Sequence, residues 1–254
     1  MSEIVFDSVA KSFGGEKVLD GVSFSVEKGE IFSIVGPSGT GKSVTLKHIA
    51  GLISPDSGTV SVGSRKIGYL FQGGALMAWL TVAENVALPL VETTSLPEKE
   101  IDDRVRAALS AVGLLDAADK YPEEISGGMR KRAGLARAIV TEPPVLFCDE
   151  PTSGLDPITA AQMDQLLLDM KACYPHMTTV VVTHDLGSVE HIAEHVLVLK
   201  EGRSAFSGSK EELYAADDPY LRRFLDRKYE ESRRMAAPPL DSSVREALSE
   251  WLDD

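Results

Sequence analysis

The sequence predicts an α/β fold with a mostly parallel sheet at its centre, and three observations carry that prediction. Residues 31–35, 145–148, 179–183 and 196–199 are short, nearly continuous apolar runs, the pattern of strands covered on both faces. Helical patterns separate several of them, as crossover connections between parallel strands require. The first run passes directly into a glycine-rich stretch, and a helical pattern opens behind it at Val44-Thr45-Leu46.

In chain order, residues 4–6, 22–26 and 59–62 alternate apolar and polar side chains, as half-buried strands do. The run 31–35 leads into Gly36-Pro37-Ser38-Gly39-Thr40-Gly41-Lys42-Ser43, a complete G-x-x-x-x-G-K-S match with a strand in front and a helix behind. Glycine lets backbone pass close to a polyphosphate, and the unpaired N–H groups of the following helix start favour an anion. Lys42 is positioned to reach the β- and γ-phosphates, and the Ser43 hydroxyl to ligate Mg²⁺. A helical block is expected over residues of about 84–136. In it Ile101, Val105, Ala108, Leu109 and Val112 share one face, with a capping box from Ser95 to Glu98 in front.

The 254 residues suffice for a sizeable core, and 43% hydrophobic with 26% charged residues describe a soluble globular chain. The formal net charge of −13 argues against direct contact with nucleic acid or an anionic lipid surface. Neither a signal peptide nor an apolar run of membrane-spanning length is present, and Cys148 and Cys173 make no disulfide framework. A reduced, cytosolic chain is the expectation.

The second half of a phosphate site is readable further on. The run 145–148 ends in Asp149-Glu150. Asp149 is placed to hold Mg²⁺, usually through water, and Glu150 to accept a proton from attacking water or orient it. His184 follows the apolar run 179–183, at the carboxyl end of a strand where ligands of open α/β sheets bind. His191-Ile-Ala-Glu194-His195 matches a zinc-peptidase pattern, but the helix is short and a third ligand is not evident. A solvated helix face is the reading there.

These residues resemble an ATP-binding-cassette (ABC) ATPase, over residues of about 4–225. Ile125-Ser126-Gly127-Gly128-Met129 is similar to the family's Leu-Ser-Gly-Gly-Gln signature, departing at its first and last positions. Phe71-Gln72 resembles the Q-loop, and Ser153-Gly154-Leu155-Asp156 the D-loop. Phe13 stands where the family stacks an aromatic on adenine, and His184 resembles the switch histidine. The resemblance implies a P-loop core with an antiparallel β subdomain, an inserted helical subdomain, and ATP with Mg²⁺ as ligands. Glu150, His184 and Gln72 would be catalytic, and Ser43, Gln72 and Asp149 would serve the metal. Phe13, residues 36–43, Ser126, Gly127, Gly128 and Asp156 would hold nucleotide. It further implies an ATP-dependent head-to-tail homodimer, each ATP lying between one subunit's Lys42 loop and the other's Ser126 helix start.

With no membrane segment of its own, such a cassette would dock on separate permease subunits at the inner face of the membrane. Leu76, Met77, Trp79 and Leu80 suit a helix-in-groove contact there. Finer stretches, including Gly128-Met-Arg-Lys-Arg-Ala and Asp218-Pro-Tyr-Leu-Arg-Arg-Phe-Leu, resemble Mla/Mce-type lipid transport ATPases, whose permease works with an Mce-domain protein. The short stretch 58–72 and Ala78-Trp-Leu-Thr-Val are closer to nitrate, sulfonate or taurine importers. A soluble ABC machine acting on nucleic acid or ribosomes is the reading from another class. Beyond the cassette, residues 226–254 are expected to form an extension. In it Ala236-Ala-Pro-Pro239 reads as a strap and Val244, Ala247, Leu248, Trp251 and Leu252 as the stripe of a short helix, docked on this cassette or its partner.

Overall fold

The computed structural model of the chain describes residues 2–225. The extension expected at 226–254 lies outside the described residues. The described residues divide into two compact units, one ending at Leu213 and one beginning at Tyr214.

The first unit opens with two long strands, β1 (Ser2–Phe13) and β2 (Glu16–Glu27), paired antiparallel. After β3 (Ile31–Val35) and helix α1 (Lys42–Ile49), strand β4 (Ser57–Val62) returns to the free side of β1, giving a three-stranded antiparallel sheet in the order β2-β1-β4. The remaining strands are β5 (Ile67–Leu70), β6 (Val145–Asp149), β7 (Thr178–Thr183), β8 (His195–Lys200) and β9 (Arg203–Ser209). With β3 they form a six-stranded sheet, β5-β6-β7-β3-β8-β9, parallel except for the β8–β9 hairpin.

The apolar runs are continuous because this sheet is buried on both faces. In β6, Val145 and Phe147 join a core with Ile4, Phe6 and Phe24 of the antiparallel sheet, while Leu146 and Cys148 join the opposite core. The same alternation splits Val180 and Val182 from Val181 in β7. Stacked rings of Phe6, Phe24 and Phe32, with centroids 4.6 and 5.3 Å apart, bind the antiparallel layer to the main sheet.

The opposite core is roofed by a helical block: α2 (Val82–Thr93), α3 (Glu98–Ala111) and α4 (Gly127–Ile139). The capping box expected from Ser95 to Glu98 does not form. The N-cap of α3 is Pro97, without a side-chain cap, and Glu98 is the first helical residue. A cap at Ser95 would place Leu96 in helical conformation directly before a proline, which sterics disfavour. The box forms one helix earlier, where Thr81 Oγ1 accepts from Glu84 N at 3.2 Å and Glu84 Oε2 accepts from Thr81 N at 2.7 Å. Helices α5 (Pro157–Cys173) and α6 (Leu186–Ile192) follow β6 and β7. Helix α7 (Lys210–Ala215) begins in the first unit and has its last two residues in the second, which also contains α8 (Pro219–Leu225).

Candidate functional site

Parallel pairing brings three strand ends side by side. Val35 of β3 lies opposite Thr183 of β7, and Val182 of β7 opposite Asp149 of β6. The segments that leave these strands, residues 36–41, Glu150 and His184, therefore emerge together at the carboxyl edge of the sheet.

The loop 36–41 needs glycine at both ends. Gly36 has φ 151°, and a Cβ there would sit 2.4 Å from the Leu199 carbonyl oxygen. Gly41 has φ 99°, and a Cβ would sit 2.6 Å from Leu19 Cδ2. Thr40 Oγ1 donates to Pro37 O at 2.9 Å and braces the turn, while Pro37, Ser38 and Gly39 face solvent. Helix α1 begins at Lys42 without a side-chain cap, which leaves first-turn N–H groups available to an anion. Lys42 is buried, and its Nζ donates to Gly36 O at 2.7 Å and Pro37 O at 3.0 Å. Burial pushes its pKa down, against the pull of Glu150 and Asp149. Ser43 is exposed beside it.

Across from the loop stand the two carboxylates. Burial and the neighbouring charge of Glu150 hold the Asp149 carboxyl above the usual range, with Lys42 opposing. Glu150 adopts φ 51°, left-handed backbone in a residue that is not glycine, and its N–H extends the ladder to Val182 O at 2.8 Å. Both of its carboxylate oxygens lie 2.9 Å from His184 Nδ1. With Glu150 ionised, that nitrogen carries the proton and donates it. Gln72 reaches the same edge, its Nε2 donating to Ser153 Oγ at 3.3 Å.

Other expected residues serve local structure here. Ser126 is the N-cap of α4, accepting from Met129 N at 3.2 Å, and Gly128 is buried so that a Cβ would meet Thr159 Cγ2 at 2.8 Å. Asp156 caps α5, accepting from Ile158 N and Thr159 N at 3.1 Å and from the Thr159 hydroxyl at 2.6 Å. Phe13 is about half exposed at the end of β1, with Lys11 Nζ 5.5 Å from its ring centroid. Among the described residues no hydrogen bond or ion pair joins Ser126, Gly127, Gly128 or Phe13 to Lys42, Glu150 or His184. In the zinc-peptidase pattern α6 ends at Ile192; Glu194 accepts from Ile31 N at 2.8 Å and from Lys171, and His195 Nδ1 lies 2.6 Å from Glu30 Oε2.

Two polar constellations have no counterpart in the sequence reading. Lys131, in the middle of α4, sends its ammonium to Glu150 O at 2.9 Å and Ser153 O at 2.5 Å. In α6, Ser188 Oγ lies 2.8 Å from Asp164 Oδ2 and 3.3 Å from Thr152 Oγ1, all buried. Both lysine and aspartate are mostly solvent-facing types, and their contacts span 19–24 residues of sequence, so no local signal marks them.

Asp164 carries a stability prediction. Its Oδ1 has no partner among the described residues, and burial with nearby Asp185 raises its pKa, against Ser188 and His191. The sign follows: between the ordinary carboxylate value and the raised one, the folded chain holds a proton that the unfolded chain has lost, so stability rises as pH falls through that window. Asp164→Asn removes this gain. The melting temperature of the wild type should therefore climb relative to that of Asp164→Asn as pH drops from neutral to about 4, the ordinary aspartate value. Parallel melting curves across that range would reject a raised Asp164.

The profile of the ABC transporter family matches residues 19–153. A probable ribonucleotide transport ATP-binding protein, mkl, of Mycobacterium tuberculosis is 39% identical over 238 residues, 88% of this chain and 66% of that protein. The chain thus spans just under two thirds of the mycobacterial relative. MlaF, the intermembrane phospholipid transport system ATP-binding protein of Escherichia coli K12, is 39% identical over 228 residues, 84% of each chain. Among solved structures, the dimeric post-hydrolysis state of the ATP-binding cassette MJ0796 with ADP and Pi superposes with a TM-score of 0.74 at 31% identity, covering 81% of this chain and 98% of that one.

Proposed function

This chain belongs to the ABC transporter family, and on that premise we propose that it is an ATP-hydrolysing subunit that drives transport through a separate membrane permease. The observation that carries the reading is the convergence of the Lys42 loop, Asp149, Glu150 and His184 at one edge of the sheet. Residues 36–43 cradle the triphosphate through backbone N–H groups, and Lys42 turns a donor to the β- and γ-phosphates. Glu150 accepts a proton from water as the water oxygen bonds to the γ-phosphorus. The bond from that phosphorus to the β,γ-bridging oxygen breaks, and ADP leaves with the electron pair. His184 holds the Glu150 carboxylate in place through Nδ1.

A Ser43 hydroxyl, a Gln72 amide oxygen and an Asp149 carboxylate are hard oxygen donors of the kind Mg²⁺ takes, and a cation would relieve the crowding of Asp149 beside Glu150. Bound there, Mg²⁺ would neutralise charge on the β- and γ-phosphates. Residues 126–128 and Asp156 complete the site across a head-to-tail homodimer, a self-complementary pairing with two-fold symmetry. The dimeric MJ0796 structure with ADP and Pi supports the pairing of two cassettes.

No helix among the described residues is long and apolar enough to cross a membrane, which fits a peripheral subunit docked on the inner face. Trp79, 74% exposed, and Met77, 37% exposed, provide apolar surface for a permease helix. The names of the relatives differ on cargo, ribonucleotide against phospholipid. The Mla/Mce-like stretches and the equal two-way coverage with MlaF favour a phospholipid or similar hydrophobic compound, with an Mce-domain protein in the wider complex. The residues 1–225 act as the cassette and 226–254 as an appendage to it.

Affinity capture of the full chain from native membranes, with mass spectrometry of what co-purifies, tests this reading. An integral membrane permease together with an Mce-domain protein is the expected result. A permease with an importer-type binding protein would redirect the cargo, and ribosomes or DNA would overturn the transporter reading.

A further inference from the structure

We propose that Lys131 is a positioning residue for hydrolysis, which ties the signature end of α4 to the general base Glu150 of the same protomer. The proposal rests on the reading that residues 126–128 meet the nucleotide of the partner subunit.

Lys131 lies five residues beyond the Ser126 N-cap and is 6% exposed. Burial pushes its ammonium toward the neutral form, with Glu150 opposing. Filling a helix–strand contact needs no charge, and an apolar side chain of that length would pack there without the cost of desolvation. The ammonium instead takes two carbonyl oxygens, Glu150 O and Ser153 O, at the two ends of one tight turn. Within that turn Ser153 N donates to Glu150 O at 3.3 Å.

The location matters because Glu150 is held in left-handed backbone, a conformation that persists in a non-glycine residue when its surroundings over-determine it. Its N–H is fixed by Val182 O and its C=O by Lys131 and Ser153 N. That backbone sets the direction of the carboxylate that meets His184. The far end of α4 is equally committed. Arg137 donates to Gly74 O and Ala75 O, both at 2.8 Å, and a Cβ on Gly134 would sit 2.9 Å from Gly74 Cα. The helix, the loop after Gln72 and the Glu150–Ser153 turn are thus locked together. A small displacement of the helix start by nucleotide is passed through the ammonium to the general base.

The test uses Lys131→Met, which keeps length and removes charge, and Lys131→Arg, which restores donors, in the full-length protein. ATP hydrolysis is measured against ATP concentration, with fluorescent-nucleotide binding measured separately. The expected result for Lys131→Met is a kcat about 10- to 100-fold lower, the size of effect that misplacing a reacting group produces. The KM and the nucleotide affinity should stay within about two-fold, since the phosphate loop is untouched, and cooperativity in ATP should fall toward a Hill coefficient of one. Arginine should recover part of the kcat. Unchanged kcat, or a loss of affinity parallel to the loss of rate, would overturn the proposal. Lower kcat with cooperativity intact would remove the relay and leave the positioning. The underlying reading is checked by Ser126→Arg, which should abolish ATP-induced dimers; if dimers persist, the trans signature reading fails whatever Lys131→Met does.

Discussion

Glu150→Gln should lower ATP turnover about 10²- to 10⁴-fold while leaving ATP bound, because it removes the proton acceptor and little else. The substitution is nearly isosteric. The glutamine amide oxygen can still accept from His184 Nδ1, and the backbone bonds from Glu150 N to Val182 O and from Lys131 to Glu150 O are untouched. Binding and dimer closure, which depend on the loop 36–43 and on residues 126–128, therefore proceed, and the chain should accumulate as an ATP-bound dimer. Phosphate release at saturating ATP and Mg²⁺, read beside size-exclusion chromatography with and without ATP, separates the two effects. Wild-type turnover in Glu150→Gln would sink the assignment of the general base. Loss of turnover with loss of ATP binding would instead move Glu150 from the chemistry to the nucleotide cradle.

The parts of this site legible in the sequence are those set by contiguous residues. The loop 36–43 declares itself because glycine at positions 36 and 41 answers close approaches, to Leu199 O and Leu19 Cδ2, that other residues cannot make. The runs ending at Asp149 and Thr183 declare two more edges of the site because both faces of their strands are buried. What was illegible depends on partners far along the chain. Strand β9 joins the sheet at its edge, with exposed residues along Arg203–Ser209, so it lacks the apolar run that marked its neighbours. Strand β5 is four residues long and holds Gly68, where a Cβ would sit 2.3 Å from the Ala138 carbonyl oxygen. A glycine there weakens the strand signal while the close approach of α4 requires it. The cap misplaced at Ser95 shows the converse, a local pattern overruled by a stronger local constraint at Pro97. The turn at Glu150 belongs to the first kind of miss: nothing in Asp149-Glu150-Pro151 announces a left-handed glutamate clamped by a lysine from α4.

Lys42→Met should remove about half or more of the thermal stabilisation by ATP while changing the melting temperature without nucleotide far less. The two halves of this expectation come from opposite terms. In the loop, the ammonium makes two hydrogen bonds to carbonyl oxygens, which methionine forfeits, each worth about 1.5–3 kcal/mol when one partner is charged. Against that, the ammonium is buried and driven toward its neutral form, so the folded chain bears a cost at neutral pH that is relieved only as pH rises through the lowered value toward the ordinary lysine value, and methionine removes it entirely. Toward ATP there is no such offset. A donor to the β- and γ-phosphates is lost, and one charged hydrogen bond of about 1.5–3 kcal/mol corresponds to roughly a 10- to 150-fold weaker affinity. At an ATP concentration of about 100 times the wild-type Kd, stabilisation by ligand should drop from about 2.7 kcal/mol to about 1.4 kcal/mol or less. Differential scanning fluorimetry of both proteins across an ATP titration checks both halves at once. Equal ATP-dependent shifts would show that Lys42 does not bear on the phosphates. A collapse of stability without nucleotide would show that its bonds to Gly36 O and Pro37 O, rather than phosphate recognition, are what the residue is for.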